Sequence, residues 1–177
     1  MIYVPAFFIG AAHGFANRKR LRLEDYNYSG QGTYFLTLCS IDKTCLFSRI
    51  VGDGVLDVPQ LPLSIYGQMI QDTLQEMDRL YQNLRIDKYV IMPNHVHLLV
   101  TLLPADGTSG RPSPTNATIP SFVGTLKRFV NRRSGRQMFQ RSYYDHIVRD
   151  EKDYLARWKY IDDNPIKWQE DCLYVCR

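Results

Sequence analysis

The four cysteines, Cys39, Cys45, Cys172 and Cys176, include no Cys-x-x-Cys pair. Zinc-finger chemistry uses such pairs, so that class is set aside and reduced thiols are expected. Cys172 and Cys176 stand close enough in sequence for a disulfide, although nothing requires one. Long hydrophobic runs are also missing. The mostly apolar Met1–Ala16 stretch is too short to cross a bilayer comfortably. Its positive charges, Arg18-Lys19-Arg20, follow it, whereas a secretory signal carries them in front. Residues 1–17 are therefore read as a peripheral arm or as residues added by an upstream start codon, with no membrane association and a cytoplasmic protein expected. No internal repeat is found. Nor is charge of either sign in large excess: the net +4 permits a polyanionic partner without demanding one. What remains is an ordinary globular composition, 45% hydrophobic and 23% charged over 177 residues. That length suits one domain, placed at 18–177.

The most informative segment is Tyr89-Val-Ile-Met-Pro-Asn-His-Val-His-Leu-Leu-Val100. Its Val, Ile and Leu content, broken only by Pro93-Asn94, predicts two strand segments meeting at a tight corner. Side chains on a strand alternate faces, so His95 and His97 leave on one side while Val96 and Leu98 pack on the other. Two neutral imidazoles so placed can share one metal ion.

Around this pair the chain reads as β-α-β-β-α-β-α. A first strand is predicted at Gly32–Cys39 and an amphipathic helix at Ser64–Leu84, with Ile65, Met69, Ile70, Leu74, Met77 and Leu80 at helical spacing. Strands are expected at Ile86–Met92 and His95–Leu102. Pro104, Gly107, Gly110, Pro112 and Pro114 predict a flexible loop over 103–120. A helix follows at Ser121–Arg133, then a strand at Phe139–Val148. The last helix is capped by Asp150 and ended by Pro165 near Asn164. The expected fold is α+β, a ferredoxin-like sandwich with helices on one face of an antiparallel sheet.

Acidic residues are absent between Leu126 and Arg141, where Lys127, Arg128, Arg132, Arg133, Arg136 and Arg141 gather. Arg18, Lys19, Arg20 and Arg22 form a second group. Two such patches around a metal site fit a phosphate backbone. Phe139, Tyr143 and Tyr144 interleave with the larger patch, as a surface stacking single-stranded bases needs.

Two histidines leave coordination incomplete. At 100° per residue the last helix places Tyr154, Leu155, Trp158 and Ile161 on one stripe, read as the buried face. Asp153, Arg157, Tyr160 and Asn164 fall opposite. Tyr160 and Asn164 are i and i+4, hence neighbours on the helix surface. An amide oxygen that ligates an ion beside a phenol that attacks phosphorus makes both candidates for one site. No dedicated base for the phenol is visible; Lys159, water or the metal could each serve.

The strand Val90-Ile-Met-Pro-Asn-His-Val-His97, the basic Leu126-Lys127-Arg128, the strand Gln140-Arg-Ser-Tyr-Tyr-Asp-His146 and the ending Tyr160-Ile-Asp-Asp-Asn-Pro165 together resemble the single-tyrosine HUH transposases. The branch they look most like is that of the REP-associated tyrosine transposases, which the Arg18–Tyr28 segment also resembles. The resemblance runs from Arg18 to Trp168. It implies His95 and His97 as the metal pair, Asn164 as third ligand, Mg²⁺ or Mn²⁺ as the ion, and Tyr160 as nucleophile. The reaction implied is cleavage of single-stranded DNA near a hairpin, through a 5′-phosphotyrosine that a 3′-hydroxyl can reverse. Monomer and homodimer are both compatible, and a nucleoid-associated location follows. A rival enzyme class, the histidine-triad hydrolases, needs a third histidine where Leu99 stands. An RNA-recognition module needs aromatics that the 95–102 strand lacks. The alternative kept open is a catalytically idle, domesticated protein that binds hairpin DNA.

Overall fold

The computed structural model describes residues 31–51, 60–104 and 117–174. Four strands form one antiparallel sheet: β1 (Gly32–Cys39), β2 (Leu84–Ile91), β3 (His95–Leu102) and β4 (Tyr144–Val148). Their order is β2-β3-β1-β4, as in a split β-α-β sandwich. Three helices complete the frame: α1 (Ile65–Leu80), α2 (Ile119–Ser134) and α3 (Glu151–Asp163). Among the described residues no helix is long and apolar enough to cross a membrane. The peripheral arm, the basic group Arg18, Lys19, Arg20 and Arg22, and Cys176 lie outside the described residues.

Strand alternation sorts the core. Tyr34, Leu36 and Leu38 of β1 and Val96, Leu98 and Val100 of β3 point to one face, where Ile70, Leu74 and Met77 of α1 and Phe122, Leu126 and Val130 of α2 cover them. Phe35 and Leu99 point the other way and meet Ile161 of α3. The expectation of helices on one face therefore holds for α1 and α2, whereas α3 crosses the opposite face. The buried stripe expected for α3 holds for Tyr154, Trp158 and Ile161, which pack on Phe35 and Leu99. Leu155, assigned to the same stripe, is instead 57% exposed, and Asn164, assigned to the opposite stripe, is buried. The reason is the sheet face that α3 meets. It carries His97, Thr37 and His146, so the polar stripe with Asp153, Arg157, Tyr160 and Asn164 finds its partners there.

Element ends differ from expectation where local polar contacts outcompete periodicity. Ser64 caps α1 by accepting from the backbone N–H of Tyr66 and Gly67, and the helix stops at Leu80. Asn83 then bonds the backbone of Ala117, so Leu84 enters β2 instead of the helix. Helix α2 begins two residues before the expected Ser121, inside the predicted 103–120 loop, because Thr118 and Ser121 form a capping box there. Of that loop, 105–116 lies outside the described residues. Gly67 permits a close approach, since a Cβ there would overlap the carbonyl of Phe47.

Strand β4 starts at Tyr144, five residues after the expected Phe139. Phe139 is buried against Phe47, with ring centroids 5.3 Å apart, and so is no stacking surface. The chain between is held by Lys127, whose Nζ donates to the carbonyls of Gln140, Arg141 and Ser142 at 2.8, 3.2 and 2.9 Å. Burial pushes this ammonium down to about 8, while its three carbonyl partners favour the charged form. Lys127→Met should lower stability by about 1–3 kcal/mol because it strips those carbonyls of a donor. Urea denaturation checks this, with the exposed Arg128→Gln as a control expected to stay within about 0.5 kcal/mol.

Candidate metal centre and tyrosine site

His95 and His97 open β3 on the face that α3 covers, with ring centroids 4.4 Å apart. Each ring is held at Nδ1. The Nδ1 of His97 lies 2.9 Å from Thr37 Oγ1, its cross-strand neighbour on β1. His95 Nδ1–H donates to Asn94 Oδ1 at 2.9 Å. The Asn94 amide is oriented in turn, because its Nδ2 donates to the carbonyls of Lys43 and Leu173 at 3.2 and 2.8 Å. This is the structural use of the Pro93-Asn94 corner: it fixes one imidazole and ties down the C-terminal turn. Holding Nδ1 leaves Nε2 of both rings aimed inward as lone-pair donors.

Helix α3 brings Tyr160 and Asn164 over the pair. The Tyr160 ring meets His97 edge-on at 5.2 Å and Phe35 at 5.8 Å. Asn164 is buried beside it. A residue that periodicity did not indicate completes the group: Asp171, just beyond the 3-10 turn Trp168–Glu170. Its side chain is 2% exposed. Asp171 Oδ2 accepts from Asn164 Nδ2 at 2.9 Å and from the Tyr160 hydroxyl at 3.4 Å, and lies 3.9 Å from His95 Nε2. Ligand atoms of His95, His97 and Asp171 all fall within 4.8 Å of one another. Trp168 roofs the pocket, tilted over His95 at 5.8 Å.

Three buried polar atoms have no partner among the described residues: His95 Nε2, His97 Nε2 and Asn164 Oδ1. Leaving such atoms unpaired costs free energy, and a bound cation repays it. Two imidazole nitrogens, an amide oxygen and a nearby carboxylate suit a first-row divalent ion; ligand chemistry leans to Mn²⁺ over Mg²⁺. Burial pushes His95 down to about 4 and His97 well below its ordinary value, the latter helped by its neighbour. Both rings are therefore neutral at pH 7, the form that binds metal.

The same shifts give a stability signature. Between pH 6.5 and 4 the unfolded chain takes up protons that the folded histidines refuse, so metal-free protein loses stability as pH falls through that window. For His95 alone the loss approaches roughly 3 kcal/mol. A melting-temperature series should fall more steeply for wild type than for His95→Gln; parallel curves would contradict the assignment.

Burial and the nearby Asp171 both raise the Tyr160 hydroxyl above its ordinary value, with Asn164 opposing. The phenol is therefore protonated at neutral pH. Lys159, one candidate base, is engaged with Asp163 at 3.2 Å. His146 Nε2–H donates to Asp153 Oδ2 at 2.7 Å, tying β4 to α3.

The basic residues expected to meet DNA divide. Lys127 is engaged as described, and Arg133 Nη2 donates to both carboxylate oxygens of Glu76 at 2.7 Å. Arg128, Arg132, Arg136 and Arg141 are exposed. Those on α2 lie across the sheet from the histidines.

No profile of a known protein family matches the sequence. Among solved structures, the fold is shared with a REP-associated tyrosine transposase bound to a REP hairpin. The TM-score is 0.58 and identity 21%, over 83% of this chain and 74% of that one. The sandwich carrying a His-x-His strand and a crossing C-terminal helix is thus similar in fold to that transposase. By sequence, the chain is 36% identical to an uncharacterized protein of Haemophilus influenzae, covering 92% of this chain and 96% of that protein. It belongs to the same family as that Haemophilus protein.

Proposed function

We propose that this protein is a metal-dependent, single-stranded DNA endonuclease and strand transferase, a tyrosine transposase acting near DNA hairpins. The observation that carries the reading is the convergence of His95 Nε2, His97 Nε2 and Asn164 Oδ1, all buried and unpartnered, beside the Tyr160 hydroxyl. The shared fold with a hairpin-bound transposase supports it.

In this reading Tyr160 Oη attacks the scissile phosphorus. A phosphotyrosine bond forms, the P–O3′ bond breaks, and the departing 3′-oxygen takes up a proton as the phenol loses one. A second 3′-hydroxyl reverses the step and joins two strands with no external energy source. His95, His97 and Asn164 would hold the ion, and Mg²⁺ or Mn²⁺ bound there would supply Lewis-acid polarisation of a phosphoryl oxygen. Thr37 and Asn94 orient the imidazoles; Asp171 accepts the Tyr160 O–H and stands next to the ion site. Tyr160 reaches the histidines of its own chain, so the site can be assembled within one copy. Arg128, Arg132, Arg136 and Arg141 are the residues offered to DNA phosphates, and action on DNA would place the protein at the nucleoid. The test is a labelled hairpin oligonucleotide with single-stranded flanks, incubated with Mn²⁺ or Mg²⁺ and run on a denaturing gel. A protein–DNA adduct is expected; hairpin binding without any adduct would instead identify a catalytically idle binding protein.

A further inference from the structure

Sheet register places a second exposed aromatic on the face that holds the histidines. Tyr144 of β4 pairs with Thr37 of β1, and Thr37 pairs with His97 of β3. Directly paired residues point to the same side, so Tyr144, Thr37 and His97 form one row across the sheet. The next row, His146, Phe35 and Leu99, points the same way, and α3 lies over it. Two strand spacings separate Tyr144 from His97, about 10 Å. Among the described residues only two aromatics are exposed, Tyr144 at 53% and Tyr160 at 39%. They flank the same pair of rows. A ring this exposed on an edge strand contributes little to the core, yet the α1–α2 face buries its aromatics.

Arg157 lies three residues before Tyr160, on the same side of α3. Its guanidinium sits 5.7 Å from the Phe35 ring, and its Nε donates to Asp153 Oδ1 at 3.0 Å. Asp153 is itself held by His146 at 2.7 Å, so Arg157 is propped from two elements. Among the described residues its terminal nitrogens have no hydrogen-bond partner. Sequence clustering overlooks Arg157 because it stands in a segment of mixed charge instead of an acid-free basic run.

The geometry points to a nucleotide subsite on the β4–α3 edge of the site: Tyr144 stacks one base of single-stranded DNA next to the scissile bond, and Arg157 grips the adjoining phosphate. This rests on the DNA-cleaving reading and adds where the strand runs: from Tyr160 across Arg157 to the free edge of the sheet. Stacking on one ring tolerates any base, so the subsite positions the strand without selecting its sequence. Arg157 is a positioning residue, and its fork geometry suits a phosphate.

Fluorescence anisotropy with fluorescein-labelled oligothymidylate, titrated across a KCl series without added metal, tests the subsite apart from catalysis. Tyr144→Leu should weaken binding about 5- to 100-fold, and Tyr144→Phe should restore it. Arg157→Gln should flatten the log–log salt slope by about 0.7, the loss of one phosphate contact on a single strand. Leu155→Ala, on the outer side of α3, should bind as wild type does. Wild-type affinity in Tyr144→Leu, or an unchanged slope in Arg157→Gln, overturns the subsite and leaves the DNA-cleaving reading standing. Failure of wild-type protein to bind the oligonucleotide at low salt removes both.

Discussion

Tyr160→Phe should eliminate the covalent protein–DNA adduct while leaving hairpin binding within a few-fold of wild type. The phenyl ring keeps the edge contacts with His97 and Phe35, at 5.2 and 5.8 Å, so the packing of α3 is preserved. What is lost is the hydroxyl and its long 3.4 Å contact with Asp171. Such a contact is worth at most about 1 kcal/mol. The variant should therefore fold and melt close to wild type, and a missing adduct would report chemistry. A water nucleophile makes the opposite prediction, since it would cut equally well without the phenol. Undiminished cleavage in Tyr160→Phe would move the reaction to that class and remove the phosphotyrosine from the mechanism.

The second large effect concerns the ion. His95→Ala or His97→Ala should weaken Mn²⁺ binding by at least about 100-fold, measured directly by calorimetry on protein without DNA. Thr37→Val, which touches only the far nitrogen of His97, should cost about 10–100-fold, the range of residues that orient a ligand. This ranking separates a metal centre from a merely buried polar pair. If the histidines were a solvent-shielded structural cluster, all three variants would lower stability and none would alter a Mn²⁺ isotherm. Metal-dependent cleavage should follow the same order, and normal cleavage by either alanine variant would exclude the pair as ligands.

Much of this site was legible in the sequence. His95 and His97 share a face because a strand alternates with period two, which no tertiary contact alters. Tyr160 and Asn164 are neighbours because a helix repeats every 3.6 residues, and Asp150 and Pro165 bracket that helix by known chemistry. Asp171 was not legible. It follows a short 3-10 turn, where no period relates it to Asn164 seven positions earlier, and only chain reversal aims its carboxylate back at Tyr160. The intramolecular partners of Lys127 and Arg133 were hidden for a different reason. Composition counts charges but cannot tell which ammonium caps three carbonyls or which guanidinium already holds a carboxylate. Phe139 is similar: aromatic content is visible in a sequence, but its burial against Phe47 is not.

The amino-acid order alone therefore determined the element sequence, the histidine pair on one strand face and the phenol–amide pair on one helix, since each follows from backbone periods and capping within a few residues. The tertiary structure decided which side of the sheet α3 covers, and with it that Asn164 of the polar stripe is buried along with Ile161 of the apolar one. It also decided that the Asp171 carboxylate reaches Tyr160 and Asn164, and that Tyr144 shares a sheet face with His97. These depend on which surfaces match when distant segments pack, a question of long-range complementarity that local periodicity does not encode.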